Sequence, residues 1–589
     1  MPENHTNLLS AIPDMNRLLA HPLLADLPRE RAKYAAGKYL SNLRDSIRAG
    51  VATEAPSPDD CAMRIRADAL DTCRLRRRKV VNATGVILHT NLGRAPLGAT
   101  LWDTITQACS GYCNLEYDVD TGRRGDRNAP VESLLCALTG AQAAMVVNNN
   151  AAAVYLMLCA LAKGKRVAIS RGELVEIGGS FRIPEIMEQS GAELVEVGAT
   201  NKTRLADYIG AVGQKDASIL MKVHTSNYRI VGFTESVSAA ELAAWGRQKG
   251  LPVLYDMGSC FLTEAVRLAL HPGEVAHTND AAHTSGATHT SGIPQAHGTS
   301  HPADTGNVTL SEESAQSAIA SGVDLLCFSG DKLLGSVQSG ILVGRKDFIE
   351  ILKKHPVARA LRPDKLALSA LEATLLLYRY PEEAARSIPV LAMIGARPDD
   401  LRQRAEALAL ALADAIAEAP TEAQAEAQAE VRGEAPTEAQ AEVRAKARTG
   451  ARAEAQPEAW AVASRRWEIG LVEVADEVGG GAMPNVRLPG WAVSLKPVAA
   501  QGTAHGAAQQ STGHGAAQQS TAQGIVQSTA QGAPRSADEL AARLRHGPVP
   551  VVVRLHDGMA LLSLRTVQPD EEALLLTALC GALVAQCPS

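Results

Sequence analysis

The chain has 589 residues, with 58 Lys and Arg against 64 Asp and Glu, and its formal net charge is −6 at pH 7. This length excludes a small fold that depends on disulfides or metals, and at about 100–200 residues per domain it predicts roughly two to four domains. Hydrophobic residues make up 46% of the chain and charged residues 21%, which excludes a chain that is disordered throughout.

The first 75 residues predict a helical region. Leucines recur there at helical spacing, as at Leu18, Leu23 and Leu27. No basic segment followed by an apolar stretch precedes them, so no secretory signal is predicted. The longest apolar run, residues 573–585, is shorter than the ~20 residues of a membrane span. We therefore expect a cytoplasmic protein with no membrane partner.

This helical region is basic relative to the rest of the chain. Residues 1–80 carry 14 Lys and Arg against 10 Asp and Glu and end in the basic run 74–79. Such a run is usually a solvated surface, but a nucleic-acid phosphate backbone requires the same charge. Both interpretations remain open at this point.

The ten cysteines indicate neither disulfides nor a metal site. The one close pair, Cys109 and Cys113, has no second pair or histidine nearby to complete a zinc site. We expect reduced thiols and no metal.

Short apolar runs separated by Ala- and Leu-rich stretches predict the middle of the chain to be α/β. Strands this uniformly apolar are buried on both faces, which is typical of a mostly parallel sheet covered by helices. The predicted strands are residues 143–147, 166–170, 193–197, 218–223, 252–257, 323–328 and 340–344.

Polar side chains follow several of these strands, at the sheet edge where ligands of α/β proteins bind. Asn148, Asn149, Asn150 and Ala151 come directly after the first strand and open a helix, whose exposed amides could hold a phosphate. An ordinary helix cap looks similar, so this signal is weak alone.

Asp256 comes directly after the apolar residues 252–255, near the end of one further strand, and Lys332 follows another; together they suit pyridoxal 5′-phosphate. The carboxylate would keep the pyridine nitrogen protonated, and the lysine would form the Schiff base. The two residues are 76 positions apart, but subtracting a repetitive segment of about 47 residues leaves about thirty, the length of one strand-helix-strand step.

Three segments have repetitive, polar compositions and are predicted to be surface insertions. They are residues 271–317, 420–457 and 501–534. In the first, His271, His277, His283 and His289 recur every six residues. This spacing could chelate a metal, but expansion of a repeat produces it equally, and we favour the repeat.

The C-terminal part predicts a small α+β domain. Residues 548–567 form two apolar runs around Asp557 and Gly558, which is the pattern of a β-hairpin. An apolar helix over residues 571–584 follows it.

Seven segments of the chain resemble bacterial L-seryl-tRNA(Sec) selenium transferases. They are VNATGVILHTNLGRAPL (81–97), NLEYDVDTGRRGDR (114–127), VNNNAAAVYL (147–156), SRGELVEIGGSFRIPEIMEQSGA (170–192), VHTSNYRIVGFT (223–234), FSGDKLLG (328–335) and ARALRPDKL (358–366). The resemblance covers roughly residues 10–400 and, more loosely, the C-terminal domain. It implies an aspartate-aminotransferase-like, fold type I pyridoxal-phosphate enzyme that assembles as a ring of dimers.

The resemblance also implies a reaction and its partners. L-seryl-tRNA(Sec) would become L-selenocysteinyl-tRNA(Sec) through a pyridoxal-phosphate-bound aminoacrylyl intermediate, with selenophosphate as selenium donor. Lys332 and Asp256 would be the catalytic residues, and the basic N-terminal helices would bind the tRNA.

Further site residues are implied in the same way. Arg94, Arg359 and Arg362 would bind selenophosphate, because arginine suits phosphate-like anions. Arg124 and Arg127 are weaker candidates, since they could equally serve a subunit contact. His224 and Arg171 follow strands and are expected to line the cofactor pocket, although for His224 a core role is as consistent.

The chain departs from the family pattern beside Lys332. The family usually has GGPQAG where this chain has GSVQSG at 335–340, and DMGSC at 256–260 replaces DLGSG. The lost glycine and proline put a positive-φ turn in doubt. An inactive tRNA-binding relative therefore stays open, as does a pyridoxal-phosphate lyase or ammonia-lyase acting on a small sugar acid or amino acid.

These inferences predict three domains. Residues 1–75 form the tRNA-binding helices, 76–355 the large cofactor domain and 356–589 the small C-terminal domain.

Overall fold

The computed structural model describes residues 8–52, 54–72, 75–177, 181–270, 310, 312–418, 461–463, 466–484, 486–498 and 534–583. The chain divides into two compact units, Met1–Lys79 and Val80–Ser589. No helix among the described residues is long and apolar enough to cross a membrane.

The first unit is helical, as predicted. Its helices are α1 Met15–Leu19, α2 Arg29–Arg48 and α3 Pro58–Asp71, with a 3₁₀ turn at Pro22–Leu24. The Ser57 side chain accepts a hydrogen bond from the Asp60 amide and so caps the start of α3. The buried side chains of Leu18, Leu40 and Ile65 form its core.

The second unit contains the remaining elements. The strands are β1 Val81–Ala83, β2 Tyr117–Asp118, β3 Arg123–Arg124, β4 Ala143–Val147, β5 Arg166–Ser170, β6 Glu176–Ile177, β7 Phe181–Arg182, β8 Glu193–Val197, β9 Ile219–Val223, β10 Val253–Gly258, β11 Leu325–Ser329, β12 Gly340–Gly344, β13 Ala461–Ala463, β14 Trp467–Glu477, β15 Arg487–Pro497, β16 Val551–His556 and β17 Met559–Ser563. The helices are α4 Ala99–Cys109, α5 Ala129–Thr139, α6 Asn150–Leu161, α7 Ile183–Ser190, α8 Leu205–Lys215, α9 Ala239–Lys249, α10 Glu264–Leu270, α11 Ala315–Ala320, α12 Lys346–Lys354, α13 Pro356–Ala360, α14 Lys365–Leu377, α15 Pro381–Ser387, α16 Pro389–Ile394, α17 Pro398–Glu418, α18 Ala537–His546 and α19 Glu572–Leu583.

The main sheet has seven strands in the order β4-β12-β11-β10-β9-β5-β8. Each of the seven predicted apolar runs forms one of these strands. β12 runs opposite to the other six strands of this sheet, which share one direction, so the prediction of a mostly parallel sheet is confirmed. The carboxyl ends of β9, β10 and β11 therefore meet at one edge, which positions the residues that follow them.

Helices cover both faces of this sheet and create separate apolar cores. One core contains Leu326, Phe328 and Ile341, and the other contains Leu156, Met221 and Leu342. Because consecutive residues of a strand point to opposite faces, the uniformly apolar strands contribute to both cores.

The C-terminal sheet has six strands in the order β1-β16-β17-β15-β14-β13. Asp557 and Gly558 form the predicted hairpin turn with φ values of 48° and 71°, the left-handed conformation that a two-residue turn requires. Arg565 anchors this sheet, since its buried guanidinium donates to Asp476 Oδ2 at 3.0 Å and to the Met393 carbonyl at 2.7 Å.

The packing differs from the predicted limits of the large domain. Val81–Ala83 pairs with β16 of the C-terminal sheet instead of the main sheet. Leu371, Tyr378 and Ile394, which the prediction assigned to the small domain, lie in a core of the main sheet. The buried core of the C-terminal sheet contains Val81 and Ala83 and then residues from Leu401 onwards. Local patterns reveal helices, but not which sheet a helix covers.

The predicted limit of the first insertion was wrong at its C-terminal end. Ser314 is fully buried and forms a bridge with Phe261, and α11 begins at Ala315. The polar composition of this stretch reflects buried hydrogen-bonding groups. Residues 271–309, with the four spaced histidines, and residues 420–457 and 501–533 lie outside the described residues.

Candidate active site

Asp256 lies fully buried in β10, and its two carboxylate oxygens have different surroundings. Oδ1 accepts hydrogen bonds from the Asn150 amide at 2.8 Å and from the Gly258 backbone at 3.0 Å. Oδ2 is buried and has no hydrogen-bond partner among the described residues. Burial raises the pKa of Asp256, against the hydrogen bonds of Asn150 and Gly258 and the charge of Lys332. An additional cationic donor at Oδ2 would therefore be strongly favoured.

Lys332 follows β11, the strand that pairs in parallel with β10. Its side chain is nearly buried, and Nζ lies 3.5 Å from the Gly481 carbonyl oxygen. Burial, followed by the charge of Arg94, lowers the pKa of Lys332, although Asp256 acts in the opposite direction. The neutral amine, which is the nucleophilic form, is thus available at a lower pH than in an exposed lysine.

The predicted Asn-rich turn divides between two tasks. Asn149 caps α6 by accepting a hydrogen bond from the Ala152 amide at 2.9 Å, and Asn150 contacts Asp256. Ala151 lies in the first turn of α6. The Asn148 amide instead donates to the Leu361 carbonyl at 3.0 Å, which links this turn to the end of α13.

His224 belongs to the same cluster, whereas Arg171 does not. The His224 amide donates to the Asp256 carbonyl at 2.8 Å, and its Nε2 lies 2.6 Å from Glu312 Oε2. Burial alone lowers the pKa of His224, but the contact and charge of Glu312 outweigh it and raise this pKa. Arg171 pairs with Glu196 on the edge strand β8 and is half-exposed, so the structure does not bring it to the predicted pocket.

The predicted anion-binding arginines occupy two places. Arg94 donates to Asp331 Oδ2 at 2.9 Å, next to Lys332. Arg359 and Arg362 line a separate cavity of about 560 Å³ that Arg124 and Arg127 also line. Among the described contacts, none joins Arg359 or Arg362 to Lys332.

Glu116 organises this basic cavity. Its carboxylate accepts from Arg127 Nε at 2.8 Å and from Arg124 at 2.7 Å, and it lies 3.8 Å from Arg362. Arg127, and then Arg124, lower the pKa of Glu116. Two carboxylates, those of Glu116 and Asp126, stand against six Lys and Arg side chains in the cavity lining, and this excess of cations suits an anion.

The loop after Lys332 retains its turn despite the unusual sequence. Gly335 has a φ of 73°, and a Cβ there would lie 2.3 Å from Ile388 Cγ2. Ser336 is buried without a positive φ, and its hydroxyl donates to Thr374 Oγ1 at 3.0 Å. The positive-φ turn that the sequence put in doubt is therefore kept, because the positive φ falls on the remaining glycine.

The sequence analysis did not predict three residues that lie near Lys332. Asp331 was visible as the neighbour of Lys332, and Gly481 belongs to a conspicuous run of three glycines. Glu312 had been assigned to the repetitive insertion, so its composition concealed it.

The comparisons with known proteins agree on one family. The family model described as L-seryl-tRNA selenium transferase matches residues 80–292 and 292–445. An L-seryl-tRNA(Sec) selenium transferase of Moorella thermoacetica is 39% identical over 580 residues, which cover 98% of this chain and 97% of that protein. The Desulfomicrobium baculatum protein of the same name is 46% identical over 409 residues, covering 68% of this chain and 79% of that one.

Among solved structures, a D-glucosaminate-6-phosphate ammonia-lyase is similar with a TM-score of 0.45 and 16% identity, over 86% of this chain and 96% of that chain. The family match and the mixed α/β architecture with a helical N-terminus confirm the predicted fold class.

Proposed function

This chain belongs to the L-seryl-tRNA selenium transferase family, and we propose that it converts L-seryl-tRNA(Sec) to L-selenocysteinyl-tRNA(Sec) with selenophosphate as the selenium donor. The observation that carries this proposal is the position of Asp256 and Lys332 towards the carboxyl ends of two adjacent parallel strands. One offers an unpartnered buried carboxylate oxygen, and the other has a lowered pKa.

These residues fit pyridoxal 5′-phosphate. The free Asp256 Oδ2 is an acceptor for a protonated ring nitrogen, and Lys332 supplies an amine that loses its proton readily. The first turn of α6, at Asn150 and Ala151, presents backbone N–H groups for the phosphate. When bound, the cofactor supplies an electrophilic aldehyde and an electron sink.

The protein residues would then divide the work of the reaction. Lys332 would bind the cofactor and afterwards move the proton of the substrate α-carbon. Asp256, as a carboxylate, would keep the ring nitrogen protonated. Because burial raises the pKa of Asp256, this carboxyl would be charged only with a cation beside it, and the protonated ring nitrogen would be that cation. The net change replaces the serine hydroxyl by selenium and releases phosphate.

Selenophosphate would be bound by Arg94, Arg359 and Arg362. Arg359 and Arg362 contribute to the basic cavity, and the hydrogen bond from Asn148 to Leu361 connects that cavity to the cofactor turn. Arg124 and Arg127 remain secondary candidates, because Glu116 engages both.

Replacing both Arg359 and Arg362 by Gln is expected to raise the KM for selenophosphate at least ~10-fold, since each charged hydrogen bond contributes about 1.5–3 kcal/mol. The cofactor absorbance should stay unchanged. Steady-state kinetics at varied selenophosphate concentration measure this effect. The matching double replacement by Lys keeps the charge but not the bidentate geometry. Its KM should therefore lie between those of the wild type and the Gln variant. An unchanged KM in the Gln variant contradicts the assignment.

The tRNA would be bound by the helical unit, whose sequence carries the basic excess. Its tRNA substrate would place the reaction in the cytoplasm. Assembly of the chain as a homo-oligomer, with the ring of dimers as its form, belongs to the same proposal and is supported by the family membership.

One assay tests the proposed function directly. The protein is incubated with seryl-tRNA(Sec) labelled in its serine and with selenophosphate, and the amino acid is released and identified. Labelled selenocysteine is the expected product. Retention of the tRNA with unchanged serine would indicate an inactive relative. Failure to bind the tRNA, with ammonia released from a small sugar acid or amino acid instead, would indicate a lyase.

A further inference from the structure

Glu312 connects two parts of the active site through one buried carboxylate. Its Oε2 lies 2.6 Å from His224 Nε2, beyond the end of β9. Its Oε1 accepts a hydrogen bond of 2.7 Å from the Met483 amide, in the loop between β14 and β15. Only about 5% of Glu312 is exposed, so both contacts are largely shielded from water.

The loop that Glu312 contacts approaches Lys332 closely. Gly479, Gly480 and Gly481 have φ values of 71°, 61° and 74°. A Cβ on Gly480 would lie 2.4 Å from the Leu88 carbonyl oxygen, and one on Gly481 would lie 3.4 Å from Lys332 Nζ. The loop therefore requires glycine, both for its left-handed backbone and for its close approach.

Glycine-rich backbone does not hold such a conformation by itself. Met483, two residues after the glycines, has a φ of 46°, which is unfavourable for a side chain of this kind. The hydrogen bond from its amide to the Glu312 carboxylate is charge-assisted and compensates for that conformation. Glu312 thus fixes the loop whose Gly481 carbonyl lies beside Lys332.

We propose that Glu312 is a positioning residue of this active site, which orients the His224 imidazole and fixes the loop 479–483 next to Lys332. Its effect on catalysis rests on the proposed function. The two contacts themselves do not, because they join residues of the chain and involve no substrate.

The charges around His224 determine the sign of the pH effect. Glu312 and Glu313 face it from the segment before α11, and Lys222 faces it from β9. Asp256, on β10, accepts the His224 amide through its carbonyl. Among the groups that raise the pKa of His224, Glu312 makes the largest contribution. It therefore keeps the imidazole protonated to a higher pH than usual. Removing its charge should lower the pKa of His224.

The test measures the protonation of His224 in the full-length protein without substrates. Diethyl pyrocarbonate modifies a histidine in its neutral form but not in its protonated form. Peptide mass spectrometry identifies the labelled histidine. In the wild type the labelling midpoint should lie above the ordinary histidine value of about 6.5. In Glu312→Gln it should fall by about one pH unit, which corresponds to about tenfold faster labelling below both midpoints. Glu264→Gln, a carboxylate that pairs with Arg267, is the matched control and should behave as wild type.

Hydrogen exchange of the peptide spanning 478–484 reports the second contact. Exchange should be about tenfold faster in Glu312→Gln, because a neutral amide accepts the Met483 hydrogen bond more weakly. The proposal is overturned if Glu312→Gln shows the same His224 labelling profile and the same hydrogen exchange over 478–484 as the wild type. If that variant does not fold, a wild-type His224 midpoint at or below 6.5 overturns it alone. Neither readout uses turnover, so a failed selenium-transfer assay leaves both outcomes interpretable.

Discussion

Lys332→Ala is expected to lower turnover of seryl-tRNA(Sec) by at least ~10³-fold, because in the proposed mechanism the same amine would bind the cofactor and move the substrate proton. The lowered pKa of Lys332 arises from its burial and from Arg94, so no exposed lysine has the same reactivity. The visible absorbance of the lysine-bound cofactor should disappear. Absorbance spectra of the purified, cofactor-loaded protein and single-turnover assays measure the two effects.

Lys346→Ala is the matched control, since this lysine is exposed at the start of α12. It should keep both the absorbance and the rate. In the wild type, borohydride reduction should attach the cofactor mass to the peptide that contains Lys332. An absorbance band that persists in Lys332→Ala, or a reduced label on another lysine, would exclude Lys332 as the attachment point.

Asp256→Asn is expected to lower turnover by about 10²–10³-fold while making the cofactor-free protein no less stable. The expected loss of rate comes from removing the charge that would face the ring nitrogen in the proposed site, and electrostatic contributions of this kind have about this size. Asn retains an oxygen that accepts from Asn150 and Gly258, so the local hydrogen bonds persist. Catalysis and stability therefore respond in opposite directions at this position.

The stability effect has a defined pH dependence. Burial raises the pKa of Asp256 in the folded state, so the folded protein holds this proton more tightly than the unfolded chain. The contribution of this proton to the free energy of unfolding is complete below the pKa of Asp256 in the unfolded chain. It is lost as the pH rises through the pKa of Asp256 in the folded protein. The advantage of Asp256→Asn should thus be absent in acid and grow towards neutral pH.

Thermal unfolding across this pH range, with and without cofactor, measures the difference. Cofactor should stabilise the wild type more than Asp256→Asn, because the cation beside the carboxylate restores its charged form. Asp103→Asn, at an exposed position of α4, is the control and should show neither effect. An Asp256→Asn variant that keeps its rate within threefold, or that is less stable at neutral pH, would contradict this role.

The sequence predicted the strands well because their burial leaves a strong local signal. Residues such as Leu326 and Leu342 lie in uniformly apolar runs, and no other common element explains runs of that length. The turn at Asp557 and Gly558 was equally clear, since few residue pairs adopt two successive left-handed conformations. Asp256 and Lys332 were proposed as site residues from their positions at or just beyond the ends of such strands.

The sequence was less informative about where elements pack and where segments end. The strand Val81–Ala83 joins a sheet whose other strands lie hundreds of residues later, and nothing local indicates that partner. Glu312 was missed because a polar stretch beside a repeat has the composition of a surface segment, although its carboxylate is buried. Arg171 follows a strand as His224 does, but its strand lies next to the edge of the sheet.

The amino-acid sequence by itself determined the α/β class and the order of the buried strands along the chain, and it supplied the proposed reactive groups. These properties depend on side-chain chemistry and on burial patterns that repeat within a few residues. Only the tertiary structure decided the partners of those groups, such as Asp331 for Arg94 and Met483 for Glu312, which lie 237 and 171 positions apart. Strand order and register create such contacts, and both are set by the packing of the whole domain.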